Sequence, residues 1–149
     1  MTPDTLVSLG KIGAAIAVSL SAVGSGLGTG AAGMAAVGAW KRCYAQNKMA
    51  PFLLVAFVGA PITQTFYGLI VMIKLNGAAA AGAAFPSLIG WGLFAGTAIG
   101  MSAWMQGRTG AAASDALAET GKGFANYLMA LGVIESVALF VMIFTLIGA

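Results

Sequence analysis

Charge is what this sequence has least of. Seven Lys or Arg and four Asp or Glu make up only 7% of 149 residues, where a soluble domain carries about 25%. So few charges cannot cover a surface facing water, which excludes a soluble globular domain. There is no histidine, and with it go the commonest general base and zinc ligand. The one cysteine, Cys43, excludes a disulfide framework within the chain. No nucleophile–base pair and no cluster of metal-ligating side chains stands out, so the chain itself is not expected to be an enzyme. A net charge of +3 would elsewhere raise the question of nucleic acid. Here the basic residues separate long apolar runs, where control of membrane topology accounts for them and no nucleic-acid partner is expected. What the chain has in abundance is apolar surface: 60% hydrophobic residues and a mean hydropathy of +0.95 describe a protein of the lipid bilayer.

Residues 12–40, 49–73 and 75–107 carry no charge, and 123–149 carry only Glu135. A spanning helix needs about 20 apolar residues, so each run predicts one helix. The fold class is an all-α membrane protein of four transmembrane helices in two hairpins: residues 1–76, with helices over about 11–44 and 50–76, and residues 77–149, with helices over about 84–117 and 122–148. The first run is too long for the apolar region of a signal peptide and is expected to be retained. The connection at 40–50 is basic. Residues 76–86 begin with an Asn-Gly turn signal, and 107–122 are mixed in charge. The first and third connections hold Lys41, Arg42, Lys48, Arg108 and Lys122. The positive-inside rule therefore predicts a multi-pass protein of the cell membrane, with loops 40–50 and 107–122 cytoplasmic and both termini outside. Lys11 and Lys74 can snorkel at the outer boundary.

The hairpins are duplicates. Thr29-Gly30-Ala31-Ala32 recurs as Thr109-Gly110-Ala111-Ala112, which matches Gly26 with Gln106. In the second helix of each pair, Pro61-Ile62-Thr63-Gln64 aligns with Gly132-Val133-Ile134-Glu135, so Gln64 occupies the slot of a carboxylate. If the last hairpin folds near residue 120, Gln106 and Glu135 sit at nearly one depth. The pair Gly26 and Gln64 is likewise centred on the basic loop, so the polar groups of both halves converge on one layer. Arg108, two residues beyond Gln106, implies either a layer nearer the cytoplasm than the mid-plane or a less greasy surface around that arginine.

Gly24, Gly26, Gly28, Gly30 and Gly33 on the first helix, and Gly92, Gly96 and Gly100 on the third, lie within spans and lack the Gly-Lys-Ser/Thr of a phosphate loop. They predict close helix packing. Their density on more than one face predicts neighbours on both sides, as the inner layer of a ring would need. Glu135 is the informative residue, because an acidic side chain at a helix centre costs about 2.5–3.5 kcal/mol and intramembrane carboxylates default to function. The bland alternative is a protonated, hydrogen-bonded structural glutamate. Thr63, Gln64, Tyr67 and Gln106 fall in its layer, with 63, 64 and 67 on one helix face, and Pro61 frees carbonyls in the turn before it. Amide, hydroxyl, carboxylate and carbonyl oxygens suit a small hard cation. With one carboxylate, a site occupied by Na⁺ is neutral.

The doubled hairpin, the Gly-x-Gly-x-Gly-x-Gly helix and one carboxylate in the fourth helix resemble the proteolipids of vacuolar-type rotary ATPases over essentially the whole chain. More narrowly, Pro61-Ile62-Thr63-Gln64 with Tyr67, Gln106 and Glu135 is similar to the bacterial sodium-translocating group, subunit K. That resemblance implies a homo-oligomeric ring in concentric layers, with helices one and three inside. It implies Na⁺ held by Thr63, Gln64, Gln106, Glu135 and the backbone oxygen of Ala60, with Tyr67 closing the site. Its partners would be a stator subunit bearing an arginine and central-stalk subunits on the cytoplasmic side. One carboxylate per 149-residue copy also means fewer ions per turn than in a ring of single hairpins, which favours pumping. Two rival readings remain: the same rotor carrying H⁺, and a structural or channel-forming tetraspan protein. Asp115 and Glu119, beside Lys122, read first as a solvated, self-paired loop and alternatively as a stalk contact.

Overall fold

The computed structural model describes residues 1–149 and is all-helical, with four helices long and apolar enough to cross a membrane. These are α1 (Pro3–Ala45), α2 (Leu54–Ala80), α3 (Phe85–Thr120) and α4 (Phe124–Gly148). At 1.5 Å per residue α1 is about 65 Å long and α3 about 54 Å, well beyond a hydrocarbon core of about 30 Å. α1 runs past its uncharged stretch at both ends, and α3 runs past its own to Thr120.

Four boundaries differ from those expected. α1 starts at Pro3 because Thr2 caps it, its hydroxyl accepting from the Thr5 N–H at 3.3 Å, with Pro3 at the start and Asp4 in the first turn. α2 starts at Leu54, since residues 46–53 form the connection and the Pro51 carbonyl there accepts from Trp40 Nε1 at 2.7 Å. At its far end α2 runs through Asn76-Gly77, carried by the strong helix formers Ala78, Ala79 and Ala80. The chain turns instead at Gly82, whose φ of +88° suits glycine. α3, expected to end near 117, runs to Thr120, because Ala-rich sequence continues a helix in water as readily as in lipid. The true connection is Gly121 to Gly123, with both glycines at positive φ. At its far end α1 stops at Ala45, close to the expected 44. Asp115 is on a helix, and it pairs with Arg42 of α1, not with Lys122. That pair raises the Arg42 pKa further above its ordinary value, so Arg42 stays charged.

The core is an embrace of α1 and α3. A Cβ added at Gly24 would overlap the backbone of Gly100, one at Gly107 the backbone of Gly28, and one at Gly92 the backbone of Gly13. Backbones meet there directly, as the glycine density predicts. The glycines of the other α1 face, Gly26, Gly30 and Gly38, have nothing within 4 Å. α2 lies against α1 and α4 against α3. Two apolar clusters fill the bundle. One, toward the termini, is built on Val71, Leu75, Leu88, Ile99 and Ala138. The other, toward the charged end, is built on Leu54, Phe57, Leu117 and Leu131. Between them lies a single polar layer.

Candidate ion-binding site

Pro61 shapes the layer. Lacking an N–H, it cannot continue the α-helical ladder, and residues Ala60–Ile62 form a turn of 3₁₀ helix inside α2. The Ala60 carbonyl consequently accepts from both the Thr63 N–H and the Thr63 hydroxyl, the latter at 2.9 Å. Thr63 Oγ1 lies 3.1 Å from Gln64 Oε1. Gln64 Nε2 donates to Gln106 Oε1 at 2.8 Å, and Gln106 Nε2 reaches Glu135 Oε2 at 3.2 Å and the Leu131 carbonyl at 3.1 Å. Tyr67 completes the chain by donating its hydroxyl to Glu135 Oε1 at 2.7 Å. All six residues singled out in the sequence thus join one hydrogen-bonded network drawn from α2, α3 and α4.

Burial is graded across it. Gln64 and Gln106 are fully buried, whereas Thr63, Tyr67 and Glu135 are half-buried on the side shared by α2 and α4. Ile62, Phe66 and Val133, near these residues in sequence, are exposed. The only ion pair in the protein is Arg42–Asp115 at the charged end. Glu135 is held entirely by neutral donors, so no fixed cation balances its charge. A carboxylate withdrawn from water without a countercharge must take up a proton or a mobile cation. Thr63, Gln64 and the Ala60 carbonyl add further oxygen atoms to the network, joined to Glu135 through Gln106.

Two features escaped the sequence. Ser102 is buried one turn before Gln106 on α3, and its hydroxyl donates to the Ile134 carbonyl at 2.9 Å. The four-residue spacing from Gln106 was the available signal. Arg108, close in sequence to the layer, turns out of it, its guanidinium stacked over the Trp104 ring at 5.5 Å.

Fold and site together define a multi-pass, all-helical membrane protein with one carboxylate held by neutral donors in an apolar bundle. Residues 89–147 match the family model of the ATP synthase C subunit. The second hairpin is therefore similar to ring-forming proteolipids that translocate ions and carry no catalytic chemistry. The matched stretch includes Ser102, Gln106 and Glu135 and leaves Ala60, Thr63, Gln64 and Tyr67 outside it. No curated protein matches the chain.

Proposed function

We propose that the chain is the rotor-ring subunit of a vacuolar-type rotary ATPase and carries one Na⁺ per copy at Glu135, with ATP hydrolysed by partner subunits. The observation that carries this reading is the oxygen-rich network ending on a carboxylate that has no fixed countercharge. Glu135 supplies the charge. Thr63, Gln64 and the Ala60 carbonyl supply neutral oxygen ligands, Gln106 supplies its amide oxygen once the amide turns from the orientation in which its nitrogen faces Glu135, and Tyr67 holds the carboxylate in the closed position. Both Glu135 oxygens are within hydrogen-bond distance of a neutral partner, Tyr67 on one side and Gln106 on the other.

The apolar clusters on either side of the layer support a lateral route. An ion cannot travel along the bundle past Phe57 and Leu131 in one direction or Val71 and Ala138 in the other. Entry and exit are lateral, through the half-buried face between α2 and α4, where a stator subunit would sit. An arginine on that stator displaces the ion as Glu135 arrives. In the ring α1 and α3 form the inner layer, and Gly26, Gly30 and Gly38 meet neighbouring material. The charged end, with Lys41, Arg42 and Lys122, faces the cytoplasm, where the overrunning ends of α1 and α3 meet the central stalk.

The test is carbodiimide labelling of Glu135 in the purified assembly at fixed pH, since the reagent attacks a protonated carboxyl in an apolar setting. Labelling suppressed by NaCl and not by KCl is the expected result. Labelling indifferent to Na⁺ would assign the rotor to H⁺, and no labelling would return the chain to a structural role.

A further inference from the structure

α4 is the most loosely held of the four helices. Its buried residues are only Leu131, Ala138 and Thr145. Every side-chain hydrogen bond that joins it to another helix falls within residues 131–135. Tyr67 and Gln106 hold the Glu135 carboxylate, Gln106 also holds the Leu131 carbonyl, and Ser102 holds the Ile134 carbonyl. Two of these bonds end on the carboxylate and so depend on what it holds. The other two end on backbone and are independent of its state. Ser102 and Gln106, one turn apart on α3, therefore clasp α4 at the turn that carries the carboxylate. Most other buried hydroxyls spend their hydrogen on their own helix: Ser21 donates to Ala17, Ser114 to Gly110 and Thr145 to Val141. The duplicated positions on α1 are Ala22 and Gly26, so both halves of the clasp are missing from the hairpin that has no carboxylate.

We infer that Ser102 is a positioning residue that fixes the rotation and depth of α4, and so presents Glu135 to its ligands, without itself touching the ion. This rests on Glu135 being the ion-carrying carboxylate.

The experiment is carbodiimide labelling of the purified assembly for the parent chain, Ser102→Ala, Tyr67→Phe, the double variant, and Ser114→Ala as a buried serine outside the clasp. Without sodium, Ser102→Ala should label about three- to tenfold faster, the factor that one lost hydrogen bond carries, while Ser114→Ala stays near the parent. With NaCl titrated in, half-protection of Ser102→Ala should need more salt by a similar factor. Its effect should also be non-additive with Tyr67→Phe, because both act on one carboxylate. A Ser102→Ala rate equal to the parent, an equal acceleration in Ser114→Ala, or strict additivity with Tyr67→Phe would overturn the proposal. A parent chain that Na⁺ fails to protect would defeat the sodium reading alone. The sodium-free ratio would still decide the role of Ser102.

Discussion

Where α2 has Pro61 and a turn of 3₁₀ helix, α4 has Gly132 and runs unbroken from Phe124 to Gly148. Three further exchanges accompany that one: Gln64 for Glu135, Gly26 for Gln106, and Ala22 for Ser102. The first hairpin contributes a turn of 3₁₀ backbone, neutral oxygens and the Tyr67 hydroxyl; the second contributes the charge together with Gln106 and Ser102. Neither is a site alone, because the network crosses from α2 to α3 and α4. Two identical hairpins would each need a carboxylate and a kink. Dividing the parts leaves one charge in a bundle where each buried charge is expensive.

The largest expected effect comes from erasing the difference outright. Glu135→Gln makes the aligned positions identical, and ATP-driven sodium uptake by the reconstituted complex should fall to background while the assembly stays intact. Retained uptake would break the comparison, since the charge would then be dispensable. Next in size is the interlock shared by both hairpins. Gly107→Ala drives a methyl into the Gly28 backbone and should cost at least about 1–3 kcal/mol by thermal unfolding, the usual scale of overpacking. Gly132→Ala, at a position with nothing within 4 Å, should be neutral or stabilising by up to about 1 kcal/mol. Tyr67→Phe removes the hydrogen bond by which the first hairpin reaches the carboxylate of the second. Half-protection against labelling should then need about fivefold more NaCl, equivalent to about 1 kcal/mol. Smallest is Asp115→Asn, which breaks the exposed pair with Arg42 and should shift unfolding by no more than about 0.5 kcal/mol.

Four spans were legible because charge marks where a chain leaves lipid. The same signal failed at helix ends. Charge spacing measures the thickness of the apolar zone, and α1 and α3 do not stop where it does. The Asn76-Gly77 turn signal lost to the alanines after it, a local preference outweighed by helix propensity on its far side. The ligand-type residues were readable since polar side chains at one depth of an apolar bundle need a reason. Ser102 was not, because a serine on a transmembrane helix ordinarily returns its hydrogen to its own backbone. Only the packed arrangement reveals that this one crosses to α4. That Arg42 meets Asp115 was hidden for a similar reason: the two are joined by the register of α1 on α3, which glycine contacts set.

Gln106 lies between Ala103 and Gly107, and both of those residues meet Gly28 across the α1–α3 seam. The missing side chain of Gly28 therefore fixes where a fully buried amide stands relative to α1. In the rotating ring proposed above, that placement becomes a question of timing. Each copy must present its ligand set at the same angle as the last, and any play in the fixed wall would appear as scatter in when an ion is captured or let go. With one wall seated backbone on backbone and the other on a lightly held helix, the uncertainty of each step collects in α4. The proposed rotor would take its angular spacing from the α1–α3 wall, where backbone meets backbone.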